Sequence, residues 1–126
     1  MDAVTSFGNT GNVKYATPDT NRHIIDKNKN LFYLDGKLLL TQSVNTFTAP
    51  APLEIFASYN GGTEGYLPSI SRIYSFKIYD NDFLVRNFVP CYRISDGVVG
   101  LYDVINDVFY TNAGTGDFTK GNNIKN

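Results

Sequence analysis

Arg72-Ile73-Tyr74-Ser75-Phe76-Lys77-Ile78-Tyr79 is the stretch on which the fold turns. In an extended chain Tyr74, Phe76 and Ile78 fall on one face and Ser75 and Lys77 on the other, the period-two pattern of a half-buried strand. A slip of one residue would carry Lys77 into the core, so the register is firmly specified. Turn signals punctuate the chain on both sides. Downstream they are Asp80-Asn81-Asp82, Asp96-Gly97, Asn106-Asp107 and Asn112-Ala113-Gly114-Thr115-Gly116. Upstream they are Asn60-Gly61-Gly62, Asp35-Gly36, Asp26-Lys27-Asn28-Lys29-Asn30 and Gly8-Asn9-Thr10-Gly11-Asn12. Asp-Gly is a strong hairpin signal, because a type I′ turn needs positive φ at both central positions. Strand-length runs lie between the signals, at residues 12–16, 22–26, 31–34, 37–42, 53–58, 72–79, 83–94, 98–104, 108–111 and 117–120. The run at 83–94 is long for one flat strand, and Pro90 within it implies an edge, a bulge or a bend. Helical spacing persists nowhere beyond about two turns, and the one arguable helical turn lies near residues 83–87.

Composition agrees. The twelve acids are ten Asp and two Glu, a bias toward turns and away from helix interiors. Nine Tyr and nine Phe supply the large half-buried side chains that pack on pleated sheets. The pattern predicts an all-β chain, an antiparallel two-sheet sandwich. At 126 residues it predicts one domain over residues 1–121 and a frayed tail at 122–126. Eleven Lys+Arg against twelve Asp+Glu leave a net charge of -1, without the basic surface that nucleic acid requires. The longest aliphatic run, Leu38-Leu39-Leu40, is far short of a membrane helix, so no membrane insertion is expected. Met1-Asp2-Ala3-Val4-Thr5 has neither the basic nor the apolar part of a secretory signal. The expected location is the cytoplasm of the producing cell, or a virion. Cys91 is the only cysteine, which excludes an intrachain disulfide.

Two stretches resemble a known family. Asn21-Arg22-His23-Ile24-Ile25-Asp26 through Leu31-Phe32-Tyr33-Leu34-Asp35-Gly36-Lys37-Leu38 resembles the Y-x-D-G-K hairpin of laminin-G-like, concanavalin A-like jelly rolls. The second runs from Arg72 to Asp80-Asn81, through Leu84-Val85-Arg86-Asn87-Phe88-Val89-Pro90-Cys91 and Ser95-Asp96-Gly97-Val98-Val99-Gly100-Leu101-Tyr102-Asp103, to Phe109-Tyr110-Thr111-Asn112-Ala113-Gly114-Thr115-Gly116. It is similar to the C-terminal end of such domains in Firmicute phage tail proteins and bacterial surface proteins. The resemblance implies a jelly roll shortened at its N-terminus, where residues 1–20 stand in for several variable strands. Missing strands would leave a sheet edge or an apolar face open, which fits a trimmed sandwich, a subunit interface such as a homodimer through that edge, or a fragment of a longer chain.

Candidate chemistry is sparse. Glycoside hydrolysis needs two facing carboxyls, yet Glu54 and Glu64 are isolated and no E-x-D-x-E pattern occurs. His23 is the sole histidine and has no nucleophile and orienter converging on it in any motif, so a structural or surface role is expected. Cys91 follows Pro90 in an apolar run and reads as a small hydrophobe. No enzyme is expected. No cofactor is required, and calcium is the one left open. Asp80, Asn81 and Asp82, with Asp103 or Asp35, would supply part of a shell of about six to eight oxygens, although such clusters mark turns more often. Sugars are held by aromatic stacking and by amide and carboxylate hydrogen bonds. Tyr59, Asn60, Tyr66, Asp80, Asn81, Asp82, Tyr102 and Tyr110 lie near predicted strand ends and are the candidate ligand-binding residues.

The leading expectation, carried by the resemblance, is a non-catalytic module that binds a glycan or another surface ligand within a phage tail or bacterial surface assembly. A second is a small phage- or mobile-element protein acting by protein–protein contact, such as an anti-CRISPR-like inhibitor of a host defence nuclease, since β-edge addition is a common recognition mode. A third is a purely structural virion component.

Overall fold

The computed structural model of the protein describes residues 3–5, 14–16, 19–42, 48, 52–60, 63–66, 70–114 and 116–122, with side chains except at 3–5, 14–16, 58–60 and 63–66. The chain divides into two compact units, Met1–Pro52 and Leu53–Asn126. Among the described residues all regular structure is β, and every ladder is antiparallel and joins consecutive strands.

In the first unit β1 (Ala3–Thr5) pairs with β2 (Lys14–Ala16). A three-stranded meander follows, β3 (Ile25–Asn28), β4 (Leu31–Leu34) and β5 (Lys37–Thr41). Asp35 and Gly36 join β4 to β5 with φ of 50° and 76°, the positive pair that the Asp-Gly signal requires. Phe32 at the centre of the sheet is 2% exposed. Its cross-strand neighbours are Lys27 and Leu40, and partial burial pulls the Lys27 ammonium below its ordinary pKa. The far end of β4–β5 is closed by Asn30, whose carbonyl accepts from the Gln42 amide at 2.8 Å and whose side chain donates to the Gln42 carbonyl at 3.2 Å.

In the second unit β6 (Ser58–Asn60) and β7 (Thr63–Tyr66) form a hairpin around the Asn-Gly-Gly signal. The rest is a four-stranded sheet of β8 (Phe76–Asp80), β9 (Phe83–Tyr92), β10 (Val99–Asp103) and β11 (Val108–Tyr110), in the order β11-β10-β9-β8. Phe76 and Ile78 are half-buried and Lys77 is exposed, as the period of two demands. The register puts Phe76, Phe88 and Asp103 on one face, with Leu101, Pro90 and Tyr110 in the next row. Phe88 stacks on Phe76 at 5.7 Å and meets the Tyr110 ring edge-on at 5.7 Å. Phe88 and Leu101 are the buried apolar residues of this sheet. On the other face Phe109 covers Gly100, where an added Cβ would lie 2.8 Å from the ring.

Several expectations are corrected. Residues 83–87 are strand, not a helical turn. Residues 53–57 are irregular, because Phe56 takes a φ of 69° that an extended chain cannot hold. Residues 117–120 form no strand. Pro90 sits inside β9, but β8 ends opposite Phe88, so nothing in β8 pairs beyond that point. The Arg93 amide donates to the Val98 carbonyl at 2.9 Å. Alternation from that bond makes Pro90–Leu101 a non-hydrogen-bonded pair, with the proline nitrogen directed to the open side. Residues 123–126, most of the expected tail, lie outside the described residues.

Candidate functional site

The β9–β10 turn is built by residues 93–98. The Arg93 guanidinium holds Asp96 at 2.5 and 3.0 Å and lies over the Phe109 ring at 5.4 Å. Asp96 in turn accepts from the Val98 amide at 3.1 Å. The Arg93 hydrogen bond, then the Val98 amide, hold the Asp96 carboxyl below its usual pKa of 3.8. Gly97, at φ 74°, completes the turn. Across the sheet the chain leaves β11 through Thr111 and Asn112. The Asn112 side chain folds onto Gly114, accepting from its amide at 3.1 Å and donating to its carbonyl at 3.2 Å. The chain then returns with Asp117 and Phe118, and Phe118 is braced edge-on by Phe56 at 5.9 Å. A shallow open cleft of about 300 Å³ results, lined by Gly97, Val98, Val99, Thr111, Asn112, Asp117 and Phe118. It offers an aromatic residue, two valines, a hydroxyl and a carboxylate. Asp117 makes no hydrogen bond or ion pair with any described residue, so its oxygens are available to a ligand.

None of the residues expected from the sequence lines this cleft, although Tyr110, 44% exposed, precedes Thr111. Tyr59, Asn60 and Tyr66 lie on β6 and β7, and their side chains are outside the described ones. Asp80, Asn81 and Asp82 form the exposed β8–β9 turn, with φ of 47° and 68° at Asn81 and Asp82. Tyr102 lies on the opposite sheet face from Phe88, and its hydroxyl donates to Asp107. That bond raises its pKa above the usual 10.0.

Asp103 is fully buried and its carboxylate is committed to donors. It accepts from the Asn87 amide at 3.1 Å, the Ile105 amide at 3.2 Å, Asn106 Nδ2 at 2.7 Å and Arg86 at 3.4 Å. Burial alone would raise its pKa. The Asn87 amide, the Asn106 side chain, the Ile105 amide and the Arg86 charge together outweigh burial and hold it below 3.8. Asp80, Asp82 and Asp103 are therefore not gathered as calcium ligands, and among the described residues no three carboxylate, histidine or cysteine side chains form a metal-holding group.

His23 has a site of its own. Its Nδ1 is 2.7 Å from Asp35 and its Nε2 is 2.8 Å from Asp19, while the second Asp35 oxygen accepts from the Ile24 amide at 2.8 Å. Both ring nitrogens face carboxylates, which favours the imidazolium and raises the pKa, first through Asp35 and then through Asp19. Among the described residues no hydroxyl or thiol is hydrogen-bonded to His23, and the two acids lie on opposite sides of the ring. The arrangement ties residue 19 and the strand entry at Ile24 to the β4–β5 turn.

Among the described residues no helix is long and apolar enough to cross a membrane. No protein-family model, curated protein or solved structure matches this chain.

Proposed function

We propose that the chain is a non-catalytic binding module, a laminin-G-like jelly-roll sandwich that recognises a glycan or similar surface ligand in a phage tail or bacterial surface assembly. The observation that carries this reading is the cleft at the end of the four-stranded sheet, where Phe118, Thr111 and the unengaged Asp117 line one open depression. Saccharides are held by that combination, an apolar platform for the ring face with oxygen acceptors for the hydroxyls. The resemblance of residues 72–116 to domains of tail and surface proteins supplies the setting. An array of cell-wall and capsular polysaccharides tests it. Binding to at least one glycan, reduced by Asp117→Ala and by Thr111→Ala, is the expected outcome. Silence across the array, from folded protein, would refute the reading.

A second reading, protein–protein contact, is favoured by one observation. Phe83 is 76% exposed, and Val104 and Ile105 are about half exposed in the β10–β11 turn. Asn106 Nδ2 ties that turn to the Val85 carbonyl on β9 at 3.1 Å. Pull-down from host lysate with wild type and Phe83→Ser would decide it. A stoichiometric protein lost in the variant supports contact, and identical recoveries count against it.

A further inference from the structure

The cleft also carries a preference among glycans, and this inference rests on the binding reading above. Of its polar side chains Asn112 is already occupied, since both ends of its amide are bonded to Gly114. The Thr111 hydroxyl and the Asp117 carboxylate remain, and among the described residues no lysine or arginine lines the depression. Two basic groups of this unit are engaged with other partners: Arg93 is bound to Asp96, and Lys120 Nζ lies 4.1 Å from the centre of the Tyr92 ring. Asp117 can only accept hydrogen bonds when ionised, and the adjacent Phe118 lines the same depression, where an aromatic ring can also attract a cation. An acidic sugar would meet a carboxylate with no counter-charge beside it. A protonated amine would find both of its favoured partners, in a cleft open enough to admit a pyranose unit.

We propose that the ligand is a glycan carrying free amino sugars, a de-N-acetylated hexosamine chain, with the ammonium on Asp117 and the sugar ring against Phe118. Charge-assisted hydrogen bonds are about twice as strong as neutral ones, so losing the ammonium or the carboxylate should weaken binding by about tenfold.

The test is titration of the whole chain with three soluble oligosaccharides: a glucosamine hexamer, its N-acetylated counterpart and an oligogalacturonate. The glucosamine hexamer is expected to bind about tenfold more tightly than the N-acetylated one, and the acidic oligomer not at all. Asp117→Asn should remove that preference. Asp26→Asn makes the same charge change on an exposed strand of the other unit and should leave the preference intact, which separates the site from general attraction to an acidic protein. Amide shifts should move at Val98, Val99 and Thr111. Equal binding of the two hexamers, tighter binding of the oligogalacturonate, or an unchanged preference in Asp117→Asn would overturn the proposal while leaving a glycan-binding module standing. Failure of all three oligomers and of the polysaccharide array would remove both.

Discussion

Removing the Asp103 carboxylate would take from four donors, on Arg86, Asn87, Ile105 and Asn106, the one fully buried acceptor they share. An unmatched buried donor costs far more than a hydrogen bond contributes net. Asp103→Ala should therefore lower the urea midpoint more than the loss of any exposed carboxylate does, Asp96→Ala included, with Asp103→Asn between Asp103→Ala and wild type. Because this carboxyl titrates below 3.8 in the folded state, its support is present above that pH and is lost as pH falls through the lower value. His23 runs the other way. Its folded pKa is raised above 6.5, so its contribution is complete below 6.5 and is lost as pH rises through the folded value. Asp19 and Asp35 are held down, Asp19 first by His23 and Asp35 first by the Ile24 amide. The clamp is thus fully engaged between pH 3.8 and 6.5. Melting curves of wild type and His23→Gln should differ most inside that window and converge once pH has risen above the folded value, and the imidazole should titrate above 6.5 by NMR. Coincident curves throughout would show that the exposed clamp contributes nothing measurable.

At the scale of the element, the turns were the readable part. Asp35-Gly36 announces its two positive φ angles in its own composition, and Gly36→Ala should cost about 1 kcal/mol, read from denaturant midpoints. Asn81-Asp82 takes the same conformation without glycine, which short polar side chains tolerate. Strands were readable where both faces were marked, as at Phe76-Lys77-Ile78. They were misread where an apolar run was not extended: Leu53, Ile55 and Phe56 look like a strand, but Phe56 turns the chain at φ 69° and sets its ring against Phe118. The cleft was not readable. Its walls come from residues 97–99, 111–112 and 117–118, which meet only when the sheet forms. Asn112 and Asp117 taken singly are turn formers. The partners of His23 lie 4 and 12 residues away, a distance that only the β4–β5 turn closes.

Over the whole molecule the described apolar core is small, with Phe32 in one unit and Phe88 and Leu101 in the other. Phe88 joins both of its aromatic neighbours, and Phe88→Ala should cost about 3–5 kcal/mol. That is a large fraction of the stability of a small domain, about 5–15 kcal/mol. Thermal melts should place the Phe88→Ala transition about 12–40 °C below that of wild type. A transition within a few degrees of wild type would mean that the ring is not central. The composition and turn chemistry reach as far as antiparallel hairpins, whereas the closure of layers depends on contacts between distant segments.

The consecutive order of β8 through β11 has a kinetic consequence. Each of these strands finds its mate across a short turn, so this sheet can assemble by zipping outward from a single turn, with little chain entropy lost in closing long loops. Refolding of the whole chain, followed by tyrosine fluorescence after rapid dilution from urea, should show a main phase within milliseconds, with a slow minor phase only from chains whose X–Pro bonds isomerised while unfolded.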